Sequence, residues 1–481
     1  MKNIVKKIFW SIALPFLFIV GCTDNFDELN SDKINPTNTT PGALFAGAAR
    51  QMSDIVTNTN VNFNIFRLLA QQWTETTYTD ESNYDLSTRN IPQNFWNQVY
   101  LDVLKPLNES AKLVPTQNAV LFPADMQNNQ LMCIEIMNVY AYSVLLNTYG
   151  NIPYSKALDP NNTSPSYDDA ATVAKSLATR LDKAIAGIKT GAGGFGSSDL
   201  LNGGDMAKWL SFANSLKLRL GMILADSDVA LSKSMVEAAA PHAISSNSDN
   251  IAFHYLSSPP NTNPIWTDLI QSNRKDFVAA NTLVDKMKDL SDPRIPLYFT
   301  TDASGGYSGG IYGSGNNFST FSKPSNRITD PTLESIFIDY SEVEFLKAEA
   351  VERGFNVGGT AESHYNNAIG ASIEYWGGDA ASTTAYLANP KVSYATATGN
   401  YKQKIGEQKW IALYNRGFDA WTEFRRLDYP QLVAPVDAET VLPRRYPYPV
   451  QEQNLNTKNY NDAAAAIGGD KVDTKLFWDK F

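Results

Sequence analysis

The side chains best suited to chemistry are spaced in ways that argue against catalysis. Gly306-Tyr307-Ser308-Gly309-Gly310 has the G-x-S-x-G spacing of a nucleophile elbow. That device needs a strand before the serine and a helix after it, which together hold the hydroxyl on a strained turn. Thr300–Gly305 and Ile311–Asn316 carry neither pattern, so the segment reads as a flexible glycine loop. Gly191-Ala192-Gly193-Gly194-Phe195-Gly196 has G-x-G-x-x-G spacing, but it follows a helical pattern where a dinucleotide fingerprint must follow a strand. The three histidines, His242, His254 and His364, have no metal-ligand spacing. No EF-hand calcium loop is visible either, so neither a metal nor a cofactor is expected. Asp419 and Glu423 share a helix face beside Arg425 and Arg426, which suits ion pairing. Among 50 carboxylates no acidic pair stands in a distinctive setting. Cys133 lies between Leu131, Met132, Ile134 and Ile136 and reads as a small buried hydrophobe.

The elements that position these residues are mostly helices. Pro41 to Thr57 is a first helix, and Pro92 to Val114 a second, interrupted near Pro106. Four pairs follow: 127–148 with 168–189, 205–226 with 229–240, 339–353 with 360–376, and 401–415 with 418–427. In 127–148 the apolar residues run nearly all round, which marks a central buried helix. Asp168 and Asp169 suit the positive N-terminal end of the next helix. Met206, Trp209, Leu210, Ala213, Leu216, Leu220, Ile223 and Leu224 fall on one face, with Lys208, Ser211, Ser215, Lys217 and Arg219 elsewhere. Val343, Leu346 and Ala350 point inward from the helix that Gly354 stops. A single pair cannot bury its own apolar face, whereas stacked pairs share a core. The expectation is a mainly all-α chain: a right-handed stack of about four TPR-like pairs. Irregular insertions at 58–91, 241–277 and 296–335 form one face, and loops of that length in a compact chain are usually functional or disordered.

The amino terminus has its own logic. Lys2, Lys6 and Lys7 precede Ile8 to Val20, an uncharged apolar run. It is too short for a spanning helix, which needs about 20 residues, and suits a signal-peptide core. Ile19-Val20-Gly21-Cys22 resembles a lipobox, in which cleavage precedes the cysteine and the thiol carries lipid. The expected organisation is a signal peptide over 1–21, an extended lipid-anchored tether over 22–40, and one helical domain over 41–481. Cys22 is the expected lipidation site, and the acidic residues after it suggest export to the outer face of an outer membrane. The chain has 40 Lys and Arg against 50 Asp and Glu, a formal net charge of −10. Losing the three leader lysines makes it more acidic still. Nucleic acid is thereby excluded as a partner, since affinity there comes from basic residues meeting phosphates. Many aromatics, Tyr78, Tyr84, Tyr255, Trp266 and Tyr307 among them, fall in polar stretches, where flat rings tend to serve recognition.

Eight segments in order resemble the SusD/RagB family of nutrient-binding outer-membrane lipoproteins. They are Phe26-Asp27-Glu28-Leu29-Asn30 with Asn35-Pro36; Thr148-Tyr149-Gly150-Asn151-Ile152-Pro153-Tyr154; Trp209 through Arg219 (WLSFANSLKLR); Asp292-Pro293-Arg294; Ser341 to Ala350 (SEVEFLKAEA); Gly417 through Arg426 (GFDAWTEFRR); Pro443 to Pro449 with Glu452 and Asn454; and Lys475 to Asp479. Each also has a local structural reading: a core helix, a proline turn, or arginines paired with carboxylates. The resemblance implies an α-helical fold with four TPR-like units and no enzymatic activity. It also implies a partner, a SusC-like TonB-dependent β-barrel on which such proteins sit as a hinged lid, delivering oligosaccharides or peptides.

For an oligosaccharide, rings stack on apolar sugar faces while Asn, Asp and Arg bond the hydroxyls. The densest such set is Tyr255, Asn261, Asn263, Trp266, Asn273, Arg274 and Asp276, with Tyr78 and Trp96 completing a platform. For Trp96 and Trp266 the competing reading is inward packing that holds a loop. Two other functions stay open. A helical scaffold binding only protein would lack a small-ligand cleft and bury its aromatics between helices. A surface glycoside hydrolase would show a cleft with paired carboxylates.

Overall fold

The computed structural model describes residues 39–480, so the signal peptide, Cys22 and most of the tether expectation lie outside the described residues. Helices dominate, and each of the four expected pairs forms. With labels in chain order, α1 is Pro41–Thr57, α2 Ile91–Asn97, α3 Lys105–Leu113, α4 Ala124–Tyr149, α5 Ala170–Gly187, α6 Met206–Ile223 and α7 Val229–Ala239. Then come α8 Asn281–Asp289, α9 Tyr340–Glu352, α10 Ala361–Tyr375, α11 Tyr401–Ala412 and α12 Gly417–Leu427. The pairs α4/α5, α6/α7, α9/α10 and α11/α12 pack internally, and α5 meets α6, α6 meets α9, and α9 meets α11. A further packing sets α1 against α3 and the Gln98–Leu104 stretch before it, which the sequence does not show as a pair. Residues from Pro41 onward form one compact unit.

Local chemistry sets most helix starts. Asp169, Asp205, Asp228, Asp339 and Asn400 each accept a backbone N–H at the head of α5, α6, α7, α9 and α11. Asp168 is used differently: its carboxylate accepts from Tyr154 and Ser155 N–H, closing the Asn151–Tyr154 turn onto the next helix. A π-helical stretch, Gln98–Leu104, joins α2 to α3. The interruption therefore falls just before Pro106, whose ring would collide with the carbonyl four residues back in a regular helix. Helix α4 is long and apolar enough to cross a membrane by length alone, but 78% of its apolar window is buried in the protein. It is the central core helix. Cys133 on it is free and fully buried.

Buried ion pairs clamp the stack, which is where most of the family-like motifs are used. Arg219 on α6 makes a two-pronged bond to Glu342 on α9 at 2.6 and 2.7 Å. Arg416, just before α12, reaches Glu342, Asp419 and Asp339. Arg426 on α12 binds Glu349 on α9 and Glu423 on its own helix, and Lys409 on α11 completes Glu423. Arg219 and Ser215 thus lie inside, where helical periodicity alone placed them elsewhere. Asp419 and Glu423 pair as expected, but with Arg416, Arg426 and Lys409. Arg425 instead lays its guanidinium 3.3 Å from the Trp421 ring centre and donates to the Asn147 and Arg444 carbonyls. Arg294 is fully buried against Asp292. Arg444 and Arg445 pair with Asp479 and Asp470.

The three irregular insertions are laced together by short antiparallel strands. The strand β1 (Trp73–Glu75) pairs with β3 (Phe277–Ala279), and β2 (Ile251–Phe253) pairs with β4 (Ser335–Ile338) across a bulge at Ile251/Ala252. All four strands are buried on both faces. They therefore lack the alternation that marks a half-exposed strand, and so the sequence shows them poorly.

Candidate functional site

The β1–β3 pairing builds a cleft. Its register sets Glu75 opposite Phe277. The ladder then continues, with Thr76 N–H donating to the Asp276 carbonyl at 2.9 Å and Thr76 Oγ1 to the Lys275 carbonyl at 2.7 Å. Two segments about 200 residues apart in sequence thereby converge. Tyr78 leaves the end of one, and Arg274 and Asp276 leave the end of the other. Arg89 and Val61 close the remaining sides of a cleft of about 120 Å³.

Each wall has a distinct character. Tyr78 is 73% exposed, so its ring face is available to a ligand. Arg274 Nε and Asp276 Oδ2 pair at 2.6 Å with both side chains partly in solvent. Arg89 is held by Glu81, whose carboxylate is almost completely buried. That hydrogen bond raises the Arg89 guanidinium further above its ordinary range. Glu75 lines the cleft, and burial together with the neighbouring Glu81 carboxyl pushes it up to about 9. Its backbone carbonyl accepts from Asn316 Nδ2 at 3.0 Å, and its side-chain Oε2 accepts from Ser82 N–H at 2.8 Å.

Three residues of the expected ligand set meet here: Tyr78, Arg274 and Asp276. Asn273 is exposed next to Arg274, with φ of 50°. Trp266 is partly exposed on the same insertion but is not part of the cleft wall. Three others belong to the scaffold. Tyr255 is 4% exposed, and its hydroxyl donates to Asp54 Oδ1 at 2.9 Å. Asn263 is fully buried as a helix cap: its Oδ1 accepts from Ile265 N–H, and its Nδ2 donates to the Leu333 carbonyl. Trp96 is 6% exposed and packs on Tyr100, Tyr149 and Tyr167. Asn261 is half-buried, and its carbonyl accepts from Leu256 N–H, closing a turn. The buried residues have no surface left for a ligand. Sequence reading missed Glu75, Glu81 and Arg89, since nothing local distinguishes a buried acid in a three-residue strand.

Ser308 and His364 are engaged locally. Ser308 Oγ donates to Asp302 Oδ2 within an irregular loop. His364 is bonded to Glu344 and to the Gly358 carbonyl, and no group of three candidate metal ligands exists among the described residues. The Glu75 carboxyl contacts that of Glu81 behind the cleft wall, and Asp276 is the other carboxylate lining the cleft. Larger hollows of about 320 and 300 Å³ flank Tyr429–Leu432. A cavity of about 30 Å³ beside Arg416 and Asp419 belongs to the ion clamp.

A family model described as SusD-like, starch-binding associating with outer membrane, matches residues 33–449. This chain belongs to the SusD-like family. Solved structures agree with that placement. A chitin-binding protein is 25% identical with a TM-score of 0.80, covering 92% of this chain and 100% of that one. A SusD homologue from Bacteroides uniformis is 24% identical with a TM-score of 0.78, covering 91% of this chain and 99% of that one. A chitin-binding SusD homologue from Flavobacterium johnsoniae is 24% identical with a TM-score of 0.76, covering 91% and 98%. No curated protein matches the sequence. For this SusD-like chain the family-like motifs within the described residues map onto the clamps and turns described above, and Phe26–Asn30 with Asn35-Pro36 lies outside them. The cleft is built from segments outside those motifs.

Proposed function

We propose that this SusD-like protein is a non-enzymatic, surface-exposed lipoprotein of an outer membrane that binds oligosaccharide and passes it to a SusC-like TonB-dependent β-barrel. The observation that carries the ligand reading is Tyr78, an exposed ring beside Arg274 and Asp276 in a cleft of about 120 Å³. A ring face takes the apolar side of a sugar, while guanidinium and carboxylate bond its hydroxyls. The chitin-binding relatives favour a glycan over a peptide. Membrane attachment rests on Ile19-Val20-Gly21-Cys22, and several acyl chains on one cysteine make attachment stable without a spanning helix.

Two measurements test this reading. Labelled palmitate should enter the wild-type protein and not Cys22→Ala. A tagged mature protein taken from outer membranes in mild detergent should bring a large TonB-dependent barrel with it. Its purification alone, intact and surface-exposed, would overturn the transporter assignment.

A further inference from the structure

The floor of the cleft has a hydrogen-bond arrangement that ordinary ionisation does not satisfy. Glu81 Oε1 is taken by Arg89 Nε. Glu81 Oε2 is buried with no N–H or hydroxyl donor among the described residues. Glu75 Oε2 accepts from Ser82 N–H, and the Glu75 carboxyl contacts that of Glu81. Two buried carboxyl groups in contact cannot both be ionised without a large repulsion, and a buried acceptor without a donor is costly. One proton between them answers both. It belongs on Glu75, because Arg89 stabilises the negative charge on Glu81.

We propose that Glu75 is an uncharged carboxylic acid at physiological pH, donating its proton to Glu81, and that the cleft is therefore a subsite for an uncharged sugar unit. This deepens, and rests on, the oligosaccharide reading of the same cleft. Glu81 is a positioning residue: it acts by holding Arg89 in the wall. Both guanidiniums that line the cleft are matched, Arg89 by Glu81 and Arg274 by Asp276. Asp80 is exposed, and it adds to the field on Arg89 without lining the cleft. A ligand carboxylate or sulfate would have to compete with carboxylates already in place. A neutral sugar meets donors and acceptors with no charge to displace. Tyr78 offers it a ring, Arg89 and Arg274 offer N–H groups, and Asp276 offers an acceptor.

The proton is measurable without any ligand. Glu75 ionises in the unfolded chain near the ordinary carboxylate range but holds its proton in the folded chain up to about 9. Folding between those limits takes up one proton through this group, so stability falls as pH rises across that window. Denaturant unfolding of the mature chain at several pH values from 5 to 8.5 should show a steeper fall for wild type than for Glu75→Gln, by the slope of about one proton. Equal slopes overturn the proposal. Should the variant not fold, the infrared spectrum of wild type at pH 7 decides, because absence of a protonated-carboxyl band overturns it equally. For the ligand, neutral N-acetylglucosamine and maltose-type oligosaccharides are compared with oligogalacturonates of equal length. Neutral oligomers should bind at least about tenfold tighter, the scale of one uncompensated charge in a partly buried site. Tighter binding of the uronate overturns the subsite assignment. Binding of no oligomer overturns it together with the oligosaccharide reading, while the proton count still decides the state of Glu75 alone.

Discussion

Tyr78 and Tyr255 show how one residue type acquires opposite roles. Both sit in polar, irregular stretches, and either could present a ring to a ligand. Tyr255 lies two residues after the buried strand β2, and its hydroxyl completes a bond to Asp54 on α1, so its ring became core. Tyr78 lies beyond the last paired residue of β1 and stands free. Tyr78→Ala should weaken oligosaccharide binding by about 1 kcal/mol, the usual worth of one stacking ring beyond its area, with an unchanged melting temperature. Calorimetric titration beside a thermal melt measures both. Tyr255→Phe should do the reverse. It leaves Asp54 without its donor at a cost of about 1–3 kcal/mol and leaves ligand affinity alone. A Tyr255→Phe protein with wild-type stability and lost binding would return that residue to the ligand set.

Among the elements, α9 and α12 depend on each other through charge as much as through packing. Glu342 and Glu349 on α9 face Arg219, Arg416 and Arg426 in the interior. Removing one partner strands the other in low dielectric. Arg426→Ala should therefore cost about 3–5 kcal/mol, whereas replacing Arg426, Glu349, Glu423 and Lys409 together by Met and Leu residues of similar volume should recover most of that. Chemical denaturation of the single and combined variants gives the answer, and an Arg426→Ala loss below 1 kcal/mol would show that water reaches the clamp. Gly417 illustrates a second constraint at this scale. A Cβ there would lie 2.4 Å from the Arg67 backbone nitrogen, so α12 can approach the Phe66–Leu69 turn only with glycine at its first position.

Across the whole molecule, Glu342, Glu349 and Glu423 in these clamps give stability a pH dependence opposite in sign to that of Glu75. Burial pushes Glu342 up, but Arg219 and Arg416 outweigh it and hold it at about 2. Glu349 and Glu423 are likewise buried, yet held below the usual carboxylate range by Arg426. Each carboxylate has a lower pKa folded than unfolded. Its contribution is complete above about 4.5, the ordinary glutamate value, and disappears as pH falls through the folded value. The melting temperature should drop steeply between pH 4.5 and 2, and the drop should be shallower in the combined apolar-clamp variant. A parallel decline in the two proteins would locate acid sensitivity elsewhere.

The helical architecture could be read from local chemistry because its signals are local. Capping aspartates, apolar periodicity and stopping glycines lie within one helix of the residues they govern, so the four pairs were visible before any contact was known. The absence of a nucleophile-elbow context around Ser308 was local as well. The cleft was not. Tyr78, Arg274 and Asp276 carried some signal as exposed-type residues in polar insertions, but their meeting depends on β1–β3 pairing between segments about 200 residues apart. Burial decided the rest. Asn263, Tyr255 and Trp96 have the right chemistry for a ligand and were claimed by the core, while Glu75 and Glu81, unremarkable in the chain, acquired their properties only when folding removed their water and set them against each other. Residue type and spacing determine which helices form. Only the tertiary structure, by choosing which polar groups are desolvated together, decides where a ligand is met.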